Sequence, residues 1–469
     1  MVDKRYLLND DAMRDFIING YVVVKPALPP DFHKSVFQQT LGLIEKGEHL
    51  GNNLLLPKVP MLQQVFDDPA VRGALTSILG QNYVMNQHRA CHYHPPGSTA
   101  QDWHKDYPLG GNVRYHRTRL AMAFYYPQDV TEDMGPTAIQ PTTQYYMTPS
   151  EDAPGLSLCG EAGTVTIVHY ELWHRATENR SDKIRFMLKF LFCRTEEPQQ
   201  PSWNAENPNW EPNQTASIEH QAIWEHLWKW YRGVQNGGMN PTTVSSPNDL
   251  SKLICTLQNR LNDKNEAVRL NAAYALGTIG EPAIPILIET LQQESKVAWN
   301  RNLDRGDFTN PSQLDSIYGL AAIGQPAVFP LTEALGDTNW WTRAAAAAAL
   351  GCMGRSAHGA VPTLIEALKD DSEWVRRNAA DTLGNIGPSA RLAVPALVEA
   401  LGDDRPVSRW SLSDSPLREN AIVALAKMGQ LPHLIPVLQE ALQDENEYIR
   451  SWAAIALGQG TQPTERKIL

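Results

Sequence analysis

Cysteine is scarce: five residues (Cys91, Cys159, Cys193, Cys255, Cys352) in 469, odd in number and without CxxC spacing. A disulfide framework and a structural zinc site are both poorly served by that pattern, and a cytoplasmic, reducing location is expected. Long apolar runs are missing too. No stretch approaches the roughly 18 apolar residues that span a bilayer. The opening MVDKRYLLNDDAMRDFIING is acidic and amphipathic, with no apolar core of signal-peptide length. A basic excess is the third absence. Lys and Arg number 41 against 52 Asp and Glu, a net charge of −11, which speaks against a non-specific nucleic-acid binder and against attraction to anionic membranes.

What remains is a soluble, multidomain composition. Hydrophobic content of 42% with 20% charge excludes global disorder, and the length calls for about two or three domains. The stretch that carries chemistry is Trp103-His104-Lys105-Asp106. On an extended strand His104 and Asp106 point to one face. With a distant histidine they would form a two-histidine, one-carboxylate triad, which holds Fe(II) and leaves open positions. Two downstream histidines, His169 and His174, compete for the third place. A rival pair, His92 and His94, shares a strand face as cupin metal ligands do, with His88 just upstream. His116 sits among Arg114, Arg117 and Arg119, which reads as a solvated loop, with anion binding as the functional alternative.

The chain changes texture three times. Residues 8 to 48 alternate helix and strand character: an N-cap in Leu8-Asn9-Asp10-Asp11, a strand at Gly20-Tyr21-Val22-Val23-Val24, then a second helix through Val36 and Leu43. From 83 to 195 short apolar or alternating runs are separated by Gly, Pro and Asn, which predicts a sandwich or barrel such as a jelly roll. Residues 196 to 245 are punctuated by proline and rich in tryptophan. Trp224 and Trp228 share a helix face, and packing is their expected role. Gln235 to Pro241 reads as a linker.

From 248 onward the sequence repeats. Leu276, Leu320, Leu350, Leu383, Leu425 and Leu457 are spaced by 44, 30, 33, 42 and 32 residues, and five of them follow an arginine by seven. Such periods predict stacked helix pairs, with paired alanines allowing close approach. The long steps carry about ten extra residues, near Arg301–Pro311 and Arg405–Pro416, which should project from one edge. This part resembles the HEAT-repeat family, in its short bilin-lyase-like subclass.

The N-terminal part, over about residues 8 to 195, resembles the phytanoyl-CoA dioxygenase family of Fe(II)/2-oxoglutarate oxygenases. The resemblance rests on Gly20 to Val24, on Pro95-Pro96-Gly97 leading into Trp103 to Asp106, on Glu132-Asp133-Met134-Gly135-Pro136-Thr137, and on His174 to Ser181 followed by Arg185. It implies a double-stranded β-helix (jelly roll) with flanking helices over 1–200, a Trp-rich helix and linker over 201–247, and an all-α HEAT solenoid over 248–469. It implies iron on His104, Asp106 and His174, and the far carboxylate of 2-oxoglutarate on Arg185, whose planar fork suits a carboxylate. Thr137 would be a second contact to this cosubstrate. His88, His92, His94 and Trp103 would line the substrate cavity, and His169 would be a packed group. One departure stands out: Pro141-Thr142-Thr143-Gln144 replaces the family's Pro-Gly-Ser-His.

The resemblance thus implies an iron enzyme that uses 2-oxoglutarate and O2 to hydroxylate a small organic, secondary-metabolite or lipid-like substrate, releasing succinate and CO2. A carboxylate at Asp106 favours this over halogenation, for which the wider superfamily uses a small residue there. The competing hypothesis is a HEAT-repeat binding protein that recruits a protein partner, its oxygenase domain acting on that partner or degenerate. A third takes the repeats as a bilin-lyase-like ligand handler. The repeats are expected either to recruit such a partner or to dock intramolecularly.

Overall fold

The computed structural model describes residues 2–51, 54–106, 114–151, 155–211, 220–234, 247–305, 313–405, 407, 414–429 and 431–458. They fall into two compact units, one drawn from Met1–Asp106 and Thr118–Pro212, the other from Tyr107–Arg117 and Asn213–Gln459. Among the described residues no helix is long and apolar enough to cross a membrane.

In the first unit, helix Asp10–Asn19 starts where the Asn9 side chain accepts from the Ala12 N–H, and it stops at Gly20 in the left-handed region. The chain passes directly into β1 (Tyr21–Val24) and then into helix Pro30–Glu45. Further helices, including Pro69–Leu79 capped by Asp68, fill residues 55–79, a segment the hydrophobic pattern left unassigned. Seven more strands follow: β2 (Val84–His94), β3 (Leu120–Tyr125), β4 (Thr137–Ile139), β5 (Leu156–Ser157), β6 (Val165–His169), β7 (His174–Ala176) and β8 (Arg185–Cys193). They form a five-stranded sheet in the order β1-β6-β3-β8-β2 and a three-stranded sheet in the order β5-β4-β7, with antiparallel pairing throughout. Two antiparallel sheets with helices outside are the architecture expected of the jelly-roll class, although the described strands do not close into a barrel. β6 and β8 are buried along their whole length, which explains why apolar residues stand on both of their faces.

The second unit is a run of helix pairs. Its Trp-rich helix, Gln221–Tyr231, buries Trp224 and Trp228 and packs on helix Glu266–Ile279, where Asn271 accepts from the Ala222 N–H at 3.3 Å. The repeat leucines from Leu276 to Leu425 are fully buried. The preceding arginines do two things. Arg269, Arg343, Arg376 and Arg450 each donate to loop carbonyls at the start of their own helix, and Arg269 and Arg343 also pair at 2.7 Å with Asp315 and Asp370. The sequence repeat is therefore a ladder joining each unit to the next. The insertions near Arg301–Pro311 and Arg405–Pro416, and the linker from Gln235, lie largely outside the described residues.

One expectation is corrected here. The Arg114–Arg117 stretch is not a solvated loop. His116 is buried, stacked on Tyr318 with ring centroids 3.7 Å apart, and its Nδ1 lies 2.9 Å from the Tyr274 hydroxyl. Tyr115 donates to Asp381, and Tyr318 donates to the Arg114 carbonyl at 3.0 Å. Each of these partners is far away in sequence, so local composition misjudged the segment.

Close helix approach needs small residues at the contact. A methyl added to Gly384 would lie 2.9 Å from the Ala424 Cα, a backbone atom that cannot move aside alone. Gly384→Ala is expected to destabilise the protein by about 1–3 kcal/mol, as overpacked cores do. Gly42→Ala meets nothing within 4 Å and should be neutral or mildly stabilising. Thermal unfolding followed by circular dichroism distinguishes the two.

Candidate metal centre

Two remote chain segments meet at His104 and His174. The His104 N–H donates to the His174 carbonyl and the His174 N–H to the His104 carbonyl, both at 3.0 Å. This isolated antiparallel bridge continues the edge of the small sheet beyond β7. It sets the imidazole centroids 4.5 Å apart. The His104 Nδ1 lies 2.9 Å from the Asp102 carbonyl and the His174 Nδ1 lies 3.0 Å from the Leu172 carbonyl. A carbonyl only accepts, so each ring carries a proton on Nδ1, and the neutral tautomer of that kind has its lone pair on Nε2, where a metal would bind. Asp106 follows two residues after His104, and its Oδ1 lies 3.9 Å from the His174 Nε2.

The ligand atoms of His104, Asp106 and His174 all lie within 4.8 Å of one another. His169 is not part of the group; it is buried, and its Nδ1 accepts from the Glu171 N–H at 3.1 Å. Burial depresses His174 to about 4, which keeps it neutral and ready to ligate at pH 7. Burial alone would raise Asp106, but the Lys189 ammonium and His174 beside it hold its carboxyl well below the usual carboxylate range. Two imidazoles and one ionised carboxylate form a donor set that suits Fe(II) and leaves positions open for other ligands. The residues present therefore fit a bound iron.

The other predicted residues take definite places. Arg185, the first residue of β8, is buried, and its Nε and Nη2 both donate to the Gly135 carbonyl, at 2.9 and 2.7 Å. That edge of the guanidinium is occupied. Thr137 is buried on β4, two residues before Ile139, which pairs directly with His174, so its side chain shares the face of His174. On β2, His94 pairs with Arg185 and His92 with Met187, which puts both on the face that carries Arg185 and Lys189. The His94 Nε2 lies 2.8 Å from the Thr177 carbonyl. The Nε2 atoms of His88 and His92 are buried without a hydrogen-bond partner among the described residues, and burial lowers His92 to about 3. His88 also approaches Asp106 Oδ2 at 4.0 Å. Trp103 lies under the Arg175 guanidinium, 4.4 Å from its ring centroid.

Sequence reasoning missed what three residues do. Lys189 donates to Asp106 Oδ2 at 2.7 Å. A lone charge inside Arg185-Phe186-Met187-Leu188-Lys189-Phe190-Leu191-Phe192 was the available signal. Gly135 supplies the carbonyl that seats Arg185. Gln144, where the family pattern departs, sends its amide N–H to the Ile17 carbonyl at 3.0 Å and so closes the end of the first helix.

Residues 18–187 match the model of the phytanoyl-CoA dioxygenase (PhyH) family. Residues 328–413 and 408–469 match a model of HEAT repeats, and 256–282 match the HEAT repeat itself. The chain therefore has a region that matches the PhyH model followed by regions that match HEAT repeats. Among curated proteins none matches it. Solved structures similar to it include a non-heme monooxygenase, ThoJ, in complex with Ni, at 17% identity and TM-score 0.34, covering 42% of this chain and 84% of that one. The epimerase SnoN with Fe3+, alpha ketoglutarate and nogalamycin RO is 14% identical at TM-score 0.34, covering 39% and 82%. EctD from S. alaskensis with 2-oxoglutarate and 5-hydroxyectoine is 16% identical at TM-score 0.34, covering 40% and 77%. At these values the likenesses say nothing of the PhyH domain's substrate or reaction.

Gly135 generates a prediction. It has φ +69°, and a Cβ there would lie 2.6 Å from the His94 Cδ2 and 2.8 Å from the Thr177 carbonyl oxygen. Gly135→Ala should cost about 1–3 kcal/mol through backbone strain and disturb the seat of Arg185. The expected readout is a lower unfolding midpoint than wild type; an unchanged midpoint contradicts it.

Proposed function

We propose that this protein is an Fe(II)/2-oxoglutarate-dependent oxygenase that hydroxylates a small organic substrate. The observation that carries the reading is the convergence of two imidazole Nε2 lone pairs and one ionised carboxylate, with both Nδ1 protons committed to backbone carbonyls. Iron bound there would supply, with O2 and 2-oxoglutarate, an oxidant for an unactivated C–H bond, the cosubstrate leaving as succinate and CO2.

The chain's own residues do the rest. His104, Asp106 and His174 hold the ion, each oriented by a contact of its own. Arg185 receives the far carboxylate of 2-oxoglutarate, with Thr137 of the smaller sheet as a second contact, and the burial of Arg185 strengthens that pairing by removing competing water. His88 and His92, whose buried Nε2 atoms have no hydrogen-bond partner among the described residues, offer polar contacts to the substrate or cosubstrate. Phe124 packs against His174 with ring centroids 5.8 Å apart and keeps water from that side of the ring.

The test is succinate release from 2-oxoglutarate, dependent on iron and O2, across a panel of small organic substrates. His174→Ala should abolish release together with iron binding. Arg185→Lys should raise the KM for 2-oxoglutarate about tenfold to a hundredfold, since a charged hydrogen bond contributes about 1.5–3 kcal/mol. Wild-type protein that binds no iron and forms no succinate would sink the proposal.

A further inference from the structure

We propose that Lys189 fixes Asp106 as a one-oxygen ligand and thereby keeps a coordination position open for the cosubstrate; this rests on the iron-centre reading above. Lys189 lies on β8, a strand buried along its whole length, and its side chain is 5% exposed. An ammonium in such a place is tolerated only when paired. Its partner is Asp106 Oδ2 at 2.7 Å, the same oxygen that His88 Nε2 approaches at 4.0 Å. The other oxygen, Oδ1, faces the His174 Nε2 at 3.9 Å, on the side where the ligand atoms gather. The two carboxylate oxygens therefore have separate tasks: Oδ2 is held by the strand and Oδ1 is left to the metal.

The division matters because carboxylates bind cations through one oxygen or through both. A chelating Asp106 would occupy one position more, and a keto acid that binds through two atoms, followed by O2, needs the positions that a single-oxygen ligand leaves free. Lys189 reaches the metal only through Asp106, so it is a positioning residue. It stands four residues after Arg185 on the same strand face and just beyond the end of the family match at residue 187.

The experiment uses the full-length, metal-free protein titrated with Co(II) and then with 2-oxoglutarate, followed by visible absorption and calorimetry. Lys189→Met should alter the Co(II) spectrum before any 2-oxoglutarate is added and weaken 2-oxoglutarate binding to the Co(II) form about tenfold or more, in the range typical of residues that orient metal ligands. Lys189→Arg, which keeps the charge and the donor, should restore both. If Lys189→Met does not fold, Lys189→Gln is read in the same titration with the same expectations. A neutral variant with the wild-type spectrum and wild-type 2-oxoglutarate affinity overturns the role of Lys189. Wild-type protein that binds no Co(II) overturns the metal-centre reading itself, so the two failures are distinguishable.

Discussion

The reciprocal pair of backbone hydrogen bonds between His104 and His174 is the constraint from which the rest of the site follows. It joins segments that lie far apart in sequence, and it does so through main chain, so the side chains are left free for chemistry. Each ring is then turned by a carbonyl two residues before it, Asp102 for His104 and Leu172 for His174. Asp106 arrives through its position two residues after His104. A register slip of one residue at this bridge would turn His174 to the opposite face and dissolve the group. The neighbouring β4–β7 pairing opposes such a slip, because it pins Ile139 to His174 and Thr137 to Ala176.

The legible part of this arrangement was the part encoded in spacing. The His-x-Asp pair, the arginine eleven residues after His174, and the arginine–leucine period of the repeats all depend on short separations that strand and helix geometry fix. What escaped were pairings between remote segments. Lys189 meets Asp106 across 83 residues and Arg185 meets the Gly135 carbonyl across 50. Gln144 reaches back 127 residues to the first helix. A local window holds no trace of such partners, though a lysine inside an otherwise apolar strand is a mark that something must neutralise it. The Arg114–Arg119 cluster failed for the same reason. Its charge and its histidine suggested water, while Tyr274, Tyr318 and Glu197 were waiting elsewhere in the chain.

The helical unit is held by a different logic, in which each contact is local and repeated. Seven residues separate the arginine from its leucine, close to two helical turns, so both lie on one stripe. The leucine sits in the core and the arginine at the helix start, where it gathers loop carbonyls. Its ion pair with an aspartate farther along the chain is partly exposed, with Arg269 at 27% and Asp315 at 14%, and such pairs contribute about 0–1 kcal/mol each. Their value lies in direction: a planar fork accepts one approach, and repetition sets how each helix pair follows the last. Small residues do the remaining work, since Gly277, Gly319 and Gly384 stand where a methyl would strike a neighbouring helix.

β8 shows how a strand can serve core and chemistry together. Its apolar side chains, Phe186, Phe190 and Phe192 among them, are buried, yet Arg185 and Lys189 are buried as well. Two cations in that setting would unfold an ordinary strand were they unpaired. Arg185 is carried by a carbonyl, which accepts its hydrogen bonds but does not neutralise its charge. Lys189 is carried by Asp106, whose carboxylate balances its charge. The two burials are thus compensated differently, one by a backbone dipole and the other by an opposite charge. A strand paired on both edges holds the two cations in place, where a surface loop would relax and let water reach them.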